Sequence, residues 1–209
     1  MEELERFISR RPIKRFDRDQ VILCQGDTPS VVYAIRKGFM KGYDINAQGT
    51  EQLVWFGTPG DICPSIWLFS ATDSLPLFYS SFSRVEAHVL DKQEMMEFLK
   101  THPDALMKLT HHLAILANDL VTRLNAVEKP KAEEKIAHTL AFFADRFAES
   151  KKNGTRKIAL PFTQQDLASL LGLTRETVAK ELKRLKEQKY IHYNRWRFIV
   201  YRDRIDELL

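Results

Sequence analysis

Cysteine is scarce: Cys24 and Cys63 are the two in 209 residues, and they lie far apart. They form no C-x-x-C pair and no disulfide framework, and they are too few for a four-thiolate zinc or iron–sulfur site within one chain. No run of about 18 apolar residues is present, which excludes a membrane-spanning helix. The first residues, Met1-Glu2-Glu3-Leu4-Glu5-Arg6, are acidic and polar where a secretory signal would be basic and then apolar, so the expected location is the cytoplasm. Glycine nearly vanishes from the second part, where only Gly154 and Gly172 occur after six glycines up to residue 60. What remains is a globular composition, 44% hydrophobic and 29% charged.

The formal charge of +4 divides unevenly along the chain. Residues 1–127 hold 14 Lys/Arg against 16 Asp/Glu, whereas residues 128–209 hold 18 against 12. The positive potential therefore belongs to the last eighty or so residues, as phosphate neutralisation requires of a nucleic-acid binder and as a solvated basic surface would also show.

In the front part, short β-prone runs (21–23, 31–35, 52–56 and 85–90) alternate with glycine turns, the pattern of an antiparallel sandwich or barrel. Beyond Pro103 the chain reaches Val127 without proline or glycine. Leu106, Leu109, Leu113, Leu116, Leu120 and Leu124 recur there at intervals of three and four, which predicts a long helix with an apolar seam. That seam either packs on the chain's own sheets or pairs with a second copy, and the polar opposite side, with Lys108, His111, Asn118, Asp119 and Thr122, favours pairing. Lys129-Pro130-Lys131 interrupts the pattern. The expected domains are thus 1–103, 104–128 and 129–209. A further helix is expected from about 132 to 147, and Ser150-Lys151-Lys152-Asn153-Gly154 reads as a loop.

The most specific signal runs from Phe162 to Leu182. Thr163 can cap one helix with Asp166 in the capping-box position, Gly172 permits the left-handed turn that ends it, and Thr174 can cap the next. With Val178, Leu182 and Leu185 taken as the buried side, a 100° step places Glu176, Lys180 and Lys183 outward, while Arg175 projects from the first turn. Such a surface suits a helix entering the DNA major groove, where Arg or Lys donates to guanine and Glu accepts from cytosine. Residues 175–188 are the expected recognition helix, with Arg175, Glu176 and Lys180 reading bases. Thr163, Gln164, Thr174, Thr177, Lys183, Arg195 and Arg197 are the candidates for phosphate contact. Residues 189–193 and 197–201 read as a hairpin wing with Asn194-Arg195-Trp196 at its turn.

In this order of parts, and in Thr174-Arg175-Glu176-Thr177-Val178-Ala179-Lys180, the whole chain resembles the CRP/FNR family of bacterial transcription regulators. The recognition motif is similar to R-E-T-V-G-R of the cyclic-AMP receptor branch, with Lys180 where that branch usually has arginine. The resemblance implies an α+β protein: an N-terminal double-stranded β-helix (jelly-roll) barrel like the cyclic-nucleotide-binding domain, a long dimerisation helix and a C-terminal winged helix-turn-helix. It further implies a homodimer on a palindromic double-stranded DNA operator with TGTGA-like half-sites, recognition helices about 34 Å apart, and RNA polymerase as a partner of an activator.

The family's nucleotide site uses a Gly-Glu pair for the ribose and an Arg-Ser pair for the phosphate. Here Gly60-Asp61 stands near the first, and Ser74-Leu75-Pro76-Leu77-Phe78-Tyr79 occupies the second without an arginine. Cyclic AMP is therefore not expected as a cofactor, because its anionic phosphate would lack a charged partner. The nearest basic residue, Arg84, is expected on the next strand and exposed. An iron–sulfur cluster fails on cysteine count. His88, on the strand 85–90, would be the ligand if haem were bound, and is otherwise an ordinary surface or core histidine; His111 and His112 are expected to face solvent. Cys24 and Cys63 either report redox state or act as small buried hydrophobes. Aromatic residues crowd positions 55–82. Trp55, Phe56, Trp67, Phe78 and Tyr79, with Asp61 and Cys63, either form core or line a pocket for an apolar effector, unless the regulator has no ligand at all.

Two other functional classes frame this reading. A protein-interaction module with a degenerate DNA-binding domain would not need Arg175 and Lys180. A cupin-type metalloenzyme would need clustered histidines on the barrel strands, where His88 stands alone among the expected ones.

Overall fold

A computed structural model describes residues 3–70, 74–152, 154–194 and 197–209, with the side chains of 150–152 left out. The chain forms two compact units, one of Met1–Thr50 and Val54–Asn118, the other of Glu51–Leu53 and Asp119–Leu209.

The first unit begins with helix α1 (Glu3–Ser9) and continues through β1 (Ile13–Phe16), β2 (Val21–Leu23), β3 (Val31–Lys37), β4 (Met40–Ile45), β5 (Glu51–Gly57) and β6 (Ile62–Cys63). Helix α2 (Ser65–Phe69), strands β7 (Phe78–Ser81) and β8 (Val85–Asp91), and helix α3 (Lys92–Thr101) follow. Two four-stranded sheets result, ordered β1-β8-β3-β6 and β2-β7-β4-β5, which is the expected jelly-roll arrangement. The strand pairs with a resolved register are antiparallel, with Phe16 opposite Val85 and Tyr33 opposite Val89. On β8 the period of two turns Val85 and Ala87 inward, and both are buried. Phe16, Val32, Met40, Tyr79 and Leu90 from the strands meet Met95 and Leu99 of α3 in one core.

The turn between β3 and β4 is fixed at Gly38. Its φ of +83° is left-handed, and a Cβ there would lie 2.0 Å from the carbonyl oxygen of Arg84. Phe82 N–H donates to the Phe39 carbonyl at 2.7 Å and Phe39 N–H donates to Ser83 Oγ at 2.9 Å, so the β3–β4 and β7–β8 turns are stitched together.

Helix α4 spans Pro103–Val127, and the two units divide between its Asn118 and Asp119. Among the described residues, no helix is long and apolar enough to cross a membrane. The leucines of α4 do not share one face. Leu109 and Leu116 are buried within the chain, at 2% and 8% exposure, whereas Leu106, Leu120 and Leu124 are exposed together with Met107 and Val121. The uncovered seam is therefore 106, 110, 117, 120 and 124, with the half-buried Leu113 beside it, which replaces the expected one. Alternating threes and fours mark both stripes equally, and the core decides which stripe it takes.

The second unit contains α5 (Ala132–Arg146), a hairpin of β9 (Ala148–Lys152) and β10 (Thr155–Ile158), helices α6 (Gln164–Leu171) and α7 (Arg175–Glu187), strands β11 (Ile191–Tyr193) and β12 (Phe198–Tyr201), and α8 (Arg202–Ile205). Residues 150–152 thus belong to a strand, not to the expected loop. β10 pairs with β12 as well as with β9, in a sheet ordered β11-β12-β10-β9. A hairpin of polar residues carries no apolar alternation and is silent in the sequence. Beneath it, Phe143, Phe162 and Phe198 pack ring on ring, with centroids 5.1 and 4.3 Å apart.

Candidate functional site

The pair of helices α6 and α7 is built by its caps. Thr163 Oγ1 accepts from Asp166 N–H at 3.1 Å while Asp166 Oδ2 accepts from Thr163 N–H at 2.7 Å, a complete capping box. Gly172 ends α6 at φ +62°, ψ +33°, the left-handed conformation that costs glycine little. Two residues later Thr174 accepts from Thr177 N–H at 3.2 Å and starts α7. Leu167, Ala168 and Leu171 of α6 and Val178, Leu182 and Leu185 of α7 are buried, and the small Ala168 lets the helices approach.

Burial of that stripe sets the opposite face of α7 outward. Arg175, Glu176, Lys180 and Lys183 are all exposed. Lys183 lies 3.8 Å from Glu187 one turn on, and Arg184 is tied to Glu133 of α5 at 3.2 Å, which holds the C-terminal half of α7 against the unit. The dipole of the helix start makes the Arg175 end the positive one.

A groove of about 480 Å³ runs beside this helix end, lined by Thr163, Gln164 and Gln165 of α6, Arg175 of α7, and Tyr193, Asn194 and Phe198 of the wing. The structure thereby brings three of the expected residues, Thr163, Gln164 and Arg175, to one concavity. Thr174 and Thr177 touch each other through their hydroxyls at 3.0 Å at the helix start. The wing turn is closed by Asn194, whose Oδ1 accepts from Arg197 N–H at 3.2 Å and whose N–H donates to the Arg197 carbonyl at 3.0 Å; the Arg197 side chain is exposed. Arg195 lies outside the described residues.

The expected sensor residues are distributed through the core of the first unit. Cys63, Trp67 and Tyr79 are buried in one cluster, with Trp55 packed against it and its ring 6.2 Å from that of Tyr79. Phe56 pairs instead with Phe82, and Phe78 stacks on Tyr43. Trp67 is occupied on two sides, donating its indole N–H to the Pro29 carbonyl at 2.9 Å and carrying the Lys92 ammonium 4.0 Å over its ring. Burial, with Asp61 nearby, pushes the Cys63 thiol well above its usual value, and burial raises the Tyr79 phenol as well. Cys24 is exposed, unlike a small buried hydrophobe.

Asp61 is 2% exposed; its Oδ2 accepts from Thr58 N–H at 2.8 Å, and its Oδ1 lies 3.4 Å from Nε2 of His112 on α4. His112 is thus half-buried beside a carboxylate and not solvent-facing as expected, because its partner is brought from a distant turn. His111 is exposed. His88 has Nδ1 at 2.9 Å from the Arg11 carbonyl. Arg84 is exposed in the turn before β8, 3.7 Å from Asp17.

Comparison with known proteins adds two family matches. Residues 13–102 match the cyclic nucleotide-binding domain and residues 134–206 match the Crp-like helix-turn-helix domain. Regulatory protein HlyX of Actinobacillus pleuropneumoniae is 28% identical over 204 residues, covering 92% of this chain and 81% of that protein. The cAMP-activated global transcriptional regulator CRP of Salmonella typhimurium is 23% identical over 199 residues, covering 95% and 93%. The solved structure of FixK2 from Bradyrhizobium japonicum superposes with a TM-score of 0.80 at 22% identity, over 95% of this chain and 96% of that one, a likeness of fold. With a sensor-type barrel, a long helix and a capped helix-turn-helix following one another as both matches require, the chain belongs to the CRP/FNR family of DNA-binding transcription regulators.

Proposed function

We propose that the protein acts as a homodimer that reads a palindromic operator through α7. Arg175, Glu176 and Lys180 contact base edges, and Gln164, Thr174, Thr177, Lys183 and Arg197 position the backbone. The observation that carries this reading is the exposure of those three base-reading side chains on a helix whose opposite stripe is buried to 0% at Val178, Leu182 and Leu185. A lysine at 180 offers a point charge where a guanidinium would offer a planar fork, so discrimination at that base is looser than an arginine would give. Pairing through the uncovered seam of α4 supplies the two-fold axis that a palindrome demands. As an activator the dimer would also meet RNA polymerase.

Cyclic AMP is not the effector in this reading. The carboxylate at Asp61 is already engaged by Thr58 and His112, no arginine lies in 74–79, and Arg84 is exposed beside Asp17. The barrel instead answers to another ligand, or to none.

Fluorescence anisotropy with a labelled TGTGA-type palindrome and a scrambled duplex at matched salt tests the proposal. Preference for the palindrome of about 10³-fold or more is expected of a specific regulator, and equal affinity for the two duplexes would refute it.

A further inference from the structure

A groove of about 380 Å³ lies at the end of α7 remote from Arg175, lined by Lys186, Lys189, Ile191, His192, Tyr201 and Arg204. None of these is a carboxylate. Elsewhere in the second unit cations are neutralised, Lys157 by Glu149, Arg184 by Glu133 and Arg202 by Asp145. Among the described residues, Lys186, Lys189 and Arg204 form no ion pair. Arg204 donates to the Lys189 carbonyl at 3.5 Å, and the Lys186 ammonium stands 5.3 Å from the centre of the Tyr193 ring, contacts that orient both cations and neutralise neither. Lys189 carries a second sign. It ends α7 in a Schellman motif, its N–H donating to the Lys186 carbonyl and that of Tyr190 to the Leu185 carbonyl, both at 3.0 Å. Its φ of +62° is the left-handed conformation that glycine adopts freely and lysine does not. Residues held in this way cluster at ligand sites.

This groove continues the one at Arg175. Tyr193 lines the groove at the start of α7, and the same ring carries Lys186 of the second groove. Lys186 also follows Lys183 by one turn of the helix. From Arg175 to Lys186 the helix rises about 16 Å, at 1.5 Å per residue. The major groove is about 12 Å wide, so a duplex entered by the first turn of α7 presents phosphates, not base edges, at that distance. We infer that Lys186, Lys189 and Arg204 bind the phosphodiester backbone of the same duplex, outside the bases that Arg175 and Lys180 read. Three unpaired cations and no carboxylate match a polymer that carries one negative charge about every 1.7 Å of its axis. The inference rests on α7 being the DNA-facing helix, and it predicts affinity common to all sequences, since phosphates carry no base identity.

Anisotropy of the full chain over a salt series tests it, with the palindrome and the scrambled duplex each extended by one helical turn, about 10 base pairs, on either side. The variant combining Lys186→Gln, Lys189→Gln and Arg204→Gln is expected to lower the slope of log affinity against log salt by about two to three on both duplexes, with the palindrome-to-scrambled ratio unchanged. A charge-matched control combines Arg15→Gln, Arg36→Gln and Lys37→Gln, cations of the first unit that Glu86 already holds, and should leave the slope as it is. Lys189→Gly separates contact from folding: glycine suits the left-handed turn, so the urea midpoint should hold or rise while both duplexes bind more weakly. An unchanged slope in the triple variant overturns the inference and leaves the groove to an acidic polypeptide. Equal loss in the charge-matched control, or wild-type DNA affinity in Lys189→Gly, overturns it as well. The palindrome-to-scrambled ratio reports base reading and the slope on scrambled DNA reports the groove, so the two proposals fail separately.

Discussion

The Thr163 hydroxyl lies 2.7 Å from Asp166 Oδ2 and donates to it, while the same oxygen accepts from the Asp166 N–H. Its one proton is therefore spent inside the capping box, and Thr163 serves α6 as a cap rather than as the phosphate donor the sequence suggests. Thr163→Ala is expected to destabilise the protein by about 1 kcal/mol, with Thr163→Ser close to wild type, as read from urea denaturation midpoints.

Base reading and phosphate contact separate by their dependence on sequence and salt. Arg175→Ala and Lys180→Ala are expected to lose about 1–3 kcal/mol on the palindrome, with little change on scrambled DNA. Lys183→Ala should weaken both duplexes alike and lower the slope of log affinity against log salt by about one. If neither Arg175→Ala nor Lys180→Ala alters operator binding, the protein-interaction alternative gains.

The two leucine stripes of α4 make opposite predictions. Leu109→Ala removes a buried side chain and is expected to cost about 2–5 kcal/mol of stability. Leu120→Asp with Leu124→Asp alters exposed positions and should leave a folded monomer by sedimentation velocity. A double variant that remains dimeric would contradict pairing through this seam.

The two thiols are expected to react unequally. Cys24 is exposed, whereas Cys63 is 0% exposed with its thiol raised by burial and by Asp61. An aromatic disulfide reagent at neutral pH should titrate one thiol per native chain and two after denaturation.

His138 of α5 provides a pH dependence. Burial, reinforced by Lys129 and opposed by Glu134, lowers its pKa below 6.5. The unfolded chain then takes up the proton more readily than the folded one, so this contribution is neutral above about pH 6.5 and destabilising as the pH falls below it. The urea midpoint of His138→Gln should decline less than that of wild type between about pH 7 and pH 5.

The helix-turn-helix was legible because its determinants are local. Thr163 with Asp166, Gly172 and Thr174 act over three residues or fewer, and Val178, Leu182 and Leu185 recur at the helical period. Strands β2, β3, β5 and β8 announced themselves through β-branched and aromatic runs. Strand β4, with Lys41, Gly42 and Asp44, and the polar β9–β10 hairpin did not, since their place depends on partners across the sheet. The same limit hid the meeting of His112 with Asp61, which lie some fifty residues apart in the chain.

Gly38 and Arg84 leave no room for independent inheritance. Because any heavier residue at 38 would have to displace the peptide that leads into β8, replacing residues 31–45 of this chain by a segment with a larger residue in place of Gly38, while 82–84 are kept, should yield a chimera that fails to assemble its barrel.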